Sequence, residues 1–239
     1  MTNDTSIQKT ARTCGLLYLL GAVTAIYTHV YVASKIFVKN DWIAVNNNVL
    51  ENEFLLKTGI ASHIAGMLIS LVFVLYLYRL FSNVNAHLCR MLLLFVAVQI
   101  PIVIGMESLR LTALALLKKE VFSSTDASEV GKWAAVYMKT YGQAAVLLQV
   151  FFGLWLLPLG SLIIKSAYVP RILGVLLIAA GIGYMADSFT YLLFPGFRSY
   201  TNTPALVLSG LGEISTMLWL LIKGVDYRKY NSNIIAQTQ

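Results

Sequence analysis

Seven side chains stand out in this 239-residue sequence because their chemistry is foreign to the apolar stretches that hold them: His29, His63, Glu107, Arg110, Asp187, Tyr191 and Glu213. Imidazoles and carboxylates exchange protons and bind ligands, a guanidinium holds anions, and a phenol donates or accepts hydrogen bonds. An ionisable group inside a membrane span is costly, so each needs a partner or a function. His29 is 17 residues from Arg12, His63 is 16 from Arg79, Glu107 is 17 from Arg90, Gln149 is 16 from Lys165 and Asp187 is 16 from Arg171. Each cation marks one end of its own apolar run. At 1.5 Å per residue, all five polar groups lie about 24–26 Å from that end, and Glu213, ten residues from Lys223, lies at about 15 Å.

This spacing predicts one polar layer, with His63, Glu107 and Asp187 lining a pocket, Glu213 as its floor and Tyr191 near its mouth. His29 and Arg110 complete the candidate ligand-binding set, and Tyr27 and Tyr184 add hydroxyls at similar levels. Arg110 follows Glu107 by three residues, so the two are placed to pair on one helix; the alternative is that Arg110 snorkels to the interface. His29 could equally meet lipid headgroups. Gln99 and Gln149 are read as interhelical glue. Two imidazoles with carboxylates also suit a transition metal, with His63, Glu107 and Asp187 as the ligand set. No two of these share the short helical spacing of a metal motif, so no metal or other cofactor is assigned. Ser62, Ser108 and Ser188 adjoin the ionisable groups, but serines in such helices usually bond back to their own backbone.

The elements that position these residues are read from composition. Hydrophobic residues make up 58% of the chain and charged residues only 12%, against about 25% charged in a soluble domain. Six apolar runs are long enough to span a bilayer, which takes about 20 residues: Cys14–Val38, Leu56–Phe81, Leu88–Leu117, Tyr141–Ile164, Val169–Phe194 and Pro204–Gly224. The predicted fold is all-α, an integral membrane bundle of six transmembrane helices. Residues 1–13 form an amino-terminal segment, 14–225 the membrane domain and 226–239 a tail. Pro101 and Pro158 fall inside the third and fourth runs, where proline kinks a helix.

Loop charge sets the orientation. With the amino terminus inside, the inner segments carry nine cations against two acids, and the longer outer segments carry seven against six. Both termini are therefore expected in the cytoplasm. The outer loop at Lys39–Leu55 reads as a surface loop or short interfacial helix, and the other spans Lys118–Lys132. The net charge of +7 flanks the runs singly or in pairs and does not line a face, so nucleic acid is not a partner. The expected partners are the bilayer and a small-molecule or lipid ligand. Cys14 and Cys89 have no metal-type spacing and are expected as free thiols. Gly174, Gly181, Gly183, Gly210 and Gly212 would let helices approach closely.

Three stretches carry a family resemblance: Gly15-Leu-Leu-Tyr-Leu, Pro170-Arg171-Ile-Leu-Gly174-Val-Leu-Leu, and Gly212-Glu213 followed by Trp219-Leu-Leu-Ile-Lys223-Gly224-Val. From about Thr10 to Val225 the chain resembles the bacterial membrane proteins of the domain-of-unknown-function family 4386. The resemblance implies a six-helix protein of the bacterial inner membrane and assigns no activity or catalytic residues. Only Arg171, Gly174, Glu213 and Lys223 map onto its pattern. Function therefore rests on the polar layer, which is expected to bind or move a small ligand, lipid or proton. An intramembrane enzyme acting on a lipid-like substrate, and a structural bundle glued by that layer, are the other readings.

Overall fold

The computed structural model describes residues 2–120 and 126–237. Met1, residues 121–125 of the second outer loop, and residues 238–239 of the expected tail lie outside the described residues. Among the described residues there is no β-strand.

Helix α1, Thr2–Ile26, passes through a π-helical turn at Tyr27–Val32 into α2, Ala33–Ile36. No glycine or proline precedes Gly15. Nothing in the polar start therefore breaks the helix, and it begins well before the first apolar run. Asp41 caps α3, Trp42–Glu51, by accepting from the Ala44 amide at 2.9 Å. The stretch at 39–55, expected as a surface loop or a short interfacial helix, is thus mostly helix, tied down by its apolar Val45 and Val49.

Helix α4, Glu53–Leu117, counts 65 residues, and a straight helix of that length would measure about 98 Å. It does not run straight. Asn85 has a non-helical backbone, φ −162° and ψ 99°, and its side chain accepts from the Leu88 amide at 3.0 Å. It acts as the amino-terminal cap of a second arm. The arms return on each other, since Lys118 Nζ lies 3.2 Å from Glu53 Oε1. The expected second and third runs fall one on each arm.

Helix α5 is Ala127–Ser166 and α6 is Arg171–Leu193. A short 3-10 turn, Pro195–Phe197, leads into α7, Arg198–Ser209; a second π-helical turn, Gly210–Ile214, leads into α8, Ser215–Ile222. Gly224, at φ +72°, takes the left-handed position that ends α8, with its amide bonded back to Trp219 O. Helix α9 is Tyr227–Gln237.

Among the described residues, five helical stretches are long and apolar enough to cross a membrane: Ser6–Ile36, Glu53–Leu117, Ala127–Ser166, Arg171–Leu193 and Pro195–Ile222. Large apolar side chains such as Leu192, Phe194 and Ile172 are exposed along them, a surface suited to lipid as solvent. This is a multi-pass helical membrane protein.

The chain divides into two compact units. The first comprises Met1–Leu20, Ile69–Gln99 and Leu148–Gln239, with a core of Leu77, Phe81, Leu92, Leu156, Leu159 and Leu177. Within it, α5 and α6 touch backbone to backbone. A Cβ on Gly174 would stand 2.6 Å from Gly160 O, and one on Gly181 would stand 2.7 Å from Gly153 O. The second unit comprises Gly21–Leu68 and Ile100–Leu147 and packs around Val32, Ile36, Leu56, Ala113, Ala134 and Met138.

Candidate functional site

The register of the α4 hairpin decides which side chains of its arms meet. His63 and Glu107 each lie 22 residues from Asn85, on opposite sides of it, so the fold-back places them at one level. His63 Nδ1 and Glu107 Oε1 are 2.6 Å apart. Arg110, one helical turn beyond Glu107, donates from Nη1 to Glu107 Oε2 at 3.1 Å. All three side chains are withdrawn from the surface, with 3%, 1% and 1% of the residue exposed. The Arg110 guanidinium lies over the Tyr141 ring of α5, 4.9 Å from its centroid. Such a contact spreads a cation where water does not reach.

His29 joins from the π-helical turn after α1. Its ring meets that of His63 edge-on, at 4.7 Å between centroids and 84° between planes, and the residue itself is exposed. A π turn carries one more residue per ring than an α turn and so redirects the side chains that follow. Four segments of the second unit thus converge: the π turn, both arms of α4, and α5.

Charge accounting fixes the protonation pattern. Glu107 engages both oxygens, one with a guanidinium and one with an imidazole, and an ionised carboxylate only accepts. His63 therefore donates from Nδ1, and in its neutral form keeps Nε2 as a bare lone pair. With His63 neutral, the group carries one positive and one negative charge, the arrangement that limits the cost of burial. Two buried atoms in it have no hydrogen-bond partner, His63 Nε2 and Arg110 Nε.

The other sequence-predicted residues lie in the first unit, in two further groups. Asp187, 1% exposed, accepts from Thr201 Oγ1 at 2.9 Å and from Asn202 Nδ2 at 3.3 Å. Arg198 Nη2 stands 3.6 Å from it and lies over the Tyr191 ring, 4.7 Å from the centroid. This group ties α6 to the start of α7 across the Pro195–Phe197 turn. Glu213, half-buried in the second π turn, accepts from Tyr18 at 2.7 Å and from Tyr184 at 3.2 Å. It joins α1, α6 and the last span.

Gln99 donates to Phe95 O at 2.9 Å on its own helix and to Phe151 O at 3.5 Å on α5. Ser108 bonds back to Ile104 O at 2.8 Å. Among the described residues, no group of three or more His, Cys, Asp or Glu side chains could hold a metal ion. The ligand set of His63, Glu107 and Asp187 has no such group behind it. Cys14 and Cys89 are free thiols.

Sequence reasoning missed Tyr18, Tyr141, Arg198, Thr201 and Asn202. Nothing distinguishes Tyr18 and Tyr141 among 13 tyrosines. Arg198 was legible only as an outer-loop cation, although the twelve residues from Asp187 to Arg198 contain a Pro-Gly turn signal that brings the ends together.

Comparison with known proteins places the chain without naming an activity. Over 75 residues, 31% of this chain, it is 37% identical to an uncharacterized protein of Archaeoglobus fulgidus, and the match covers 43% of that relative's length. No solved structure matches. Residues 13–224 match the family described as Domain of unknown function (DUF4386), a match over most of the chain, and the protein belongs to that family.

Proposed function

We propose that the protein spans the cell membrane six times, with the membrane domain at residues 14–225 and both termini cytoplasmic. In its outer half, the His63–Glu107–Arg110 group binds or moves a small ligand, lipid or proton. Six passes follow when α4 counts twice, which the break at Asn85 and the return of Lys118 to Glu53 support.

One observation carries the site reading. Glu107 is fully engaged, yet beside it a base, His63 Nε2, is buried with no partner, where the Asp187 group leaves only a donor, Arg198 Nε. A polar group that only glues helices satisfies its donors and acceptors; one kept for binding holds some in reserve. Covalent catalysis would need a nucleophile beside His63. Ser108 is bonded to its own helix, and Ser62 is directed to Thr24 O at 3.4 Å.

The test uses the purified protein in nanodiscs. Glu107→Gln is expected to change the molecule retained in native mass spectrometry, or proton uptake between about pH 5 and 8, where histidine titrates. A variant that matches the wild type in both measurements reduces the group to glue. Orientation has its own test, because Cys14 and Cys89 are 0% and 2% exposed and form a quiet background. In intact cells Asn47→Cys is expected to react with an impermeant thiol reagent, and His87→Cys only after lysis. The opposite pattern overturns the orientation.

A further inference from the structure

Resting on that reading, we infer that the species taken up at the site is a proton, and that His29 delivers it to His63. The three candidate occupants make different demands. A lipid headgroup or a metabolite needs space beside the atoms it contacts, whereas His63 Nε2 and Arg110 Nε are enclosed by the protein. A proton needs only a lone pair. Nε2 supplies one, because Glu107 holds the tautomer with hydrogen on Nδ1.

The side chains form a string from the surface inward. His29 is exposed and lies six residues, about 9 Å along the helix, before Lys35 at the outer end of the span. Its ring lies edge-on against His63 at 4.7 Å, and His63 is bonded to Glu107 at 2.6 Å. Rotation of the His29 ring about its Cβ–Cγ bond brings an N–H toward Nε2. His29 first takes a proton from hydronium at the outer face, leaving water; the N–H bond of its imidazolium then breaks as the Nε2–H bond forms, and His29 is neutral again. The net change is one proton gained, which takes the His63–Glu107–Arg110 group from zero to +1. Glu107 stabilises the new imidazolium, and Arg110, its charge spread over Tyr141, opposes it. These are the ionisable groups that face His63: His29 from the π turn, Glu107 and Arg110 from the second arm of α4, and Tyr141 from α5. Tyr27 is engaged with Thr58 at 2.8 Å.

The chain has three histidines, His29, His63 and His87, so nitrogen NMR of the full-length histidine-labelled protein in nanodiscs resolves each one. His87, exposed near Asn85, is the internal control. At neutral pH, His63 is expected to carry hydrogen on Nδ1 alone and to gain a second proton on acidification. His29→Phe keeps a ring over His63 but cannot carry a proton. It is expected to preserve the tautomer and to slow proton exchange at His63 about a hundredfold, the scale of a lost proton-transfer group. If the His87 signal shows that this variant is misfolded, His29→Gln carries the same expectation. Exchange that is unchanged or faster overturns the relay, as does hydrogen resting on Nε2 at neutral pH. The broader site reading falls separately, if Glu107→Gln alters neither the retained molecule nor proton uptake.

Discussion

Glu107 and Asp187 are equally buried carboxylates, each beside an arginine, yet they are satisfied in opposite ways. Asp187 draws its hydrogen bonds from residues 14 and 15 positions later, on the helix that follows a tight turn. Its arginine, Arg198, is 32% exposed along the side chain. The group is a local clasp with the cation half in solvent. Glu107 takes its arginine from its own helix and its histidine from 44 residues away, and none of the three reaches the surface. The Asp187 clasp meets its need with an amide, a hydroxyl and a screened charge, and its carboxylate has a donor for each oxygen. The Glu107 group commits its carboxylate equally; each group leaves its arginine Nε buried without a partner, and the Glu107 group alone adds a base, His63 Nε2. Burial alone therefore does not separate the two carboxylates; the unpaired base beside Glu107 does.

The contrast breaks most sharply at Glu107→Ala. It strands the Arg110 charge in the interior, and unpairing a buried charge costs about 3–5 kcal/mol, readable as lost stability in reversible unfolding from detergent micelles. Adding Arg110→Met is expected to recover much of that loss. A double variant no more stable than the single one would show that Arg110 was never dependent on Glu107. Asp187→Asn removes a charge but leaves an acceptor for Thr201, so about 1–3 kcal/mol is expected in the same assay. A loss as large as that at Glu107 would erase the distinction between clasp and site. The smallest effect is Arg198→Gln, about 0–1 kcal/mol, because the cation is partly solvated. A larger cost would mean that the guanidinium serves chiefly through its contact with Tyr191.

The apolar runs of the sequence foretell where the long helices lie, and the cations at their ends set an expected axial level for each polar group. That arithmetic applied to His63 and Glu107, which the hairpin brings opposite each other, and the i,i+3 spacing foretold the contact of Glu107 with Arg110. Asn85 also left a sign, a polar Asn83-Val84-Asn85 between two apolar runs. Gly174 and Gly181 were legible as close-approach positions, but their partners Gly153 and Gly160 were not. They are recognised only because both pairs are spaced by seven residues and face each other across antiparallel helices.

Hydropathy and spacing thus determined an all-helical multi-pass chain and the shared level at which His63 and Glu107 meet, because position along a helix follows from residue number at a constant rise. Which neighbours those groups meet was decided by the tertiary structure. Rotation about a helix axis depends on packing, and the π turns at Tyr27–Val32 and Gly210–Ile214 shift that rotation where His29 and Glu213 sit. Residue number therefore predicted the level of His63 but not its contact with His29. Nor did it predict that Asp187 would find its partners on the next helix, because a side chain's direction is a property of the packed neighbours and not of the sequence period.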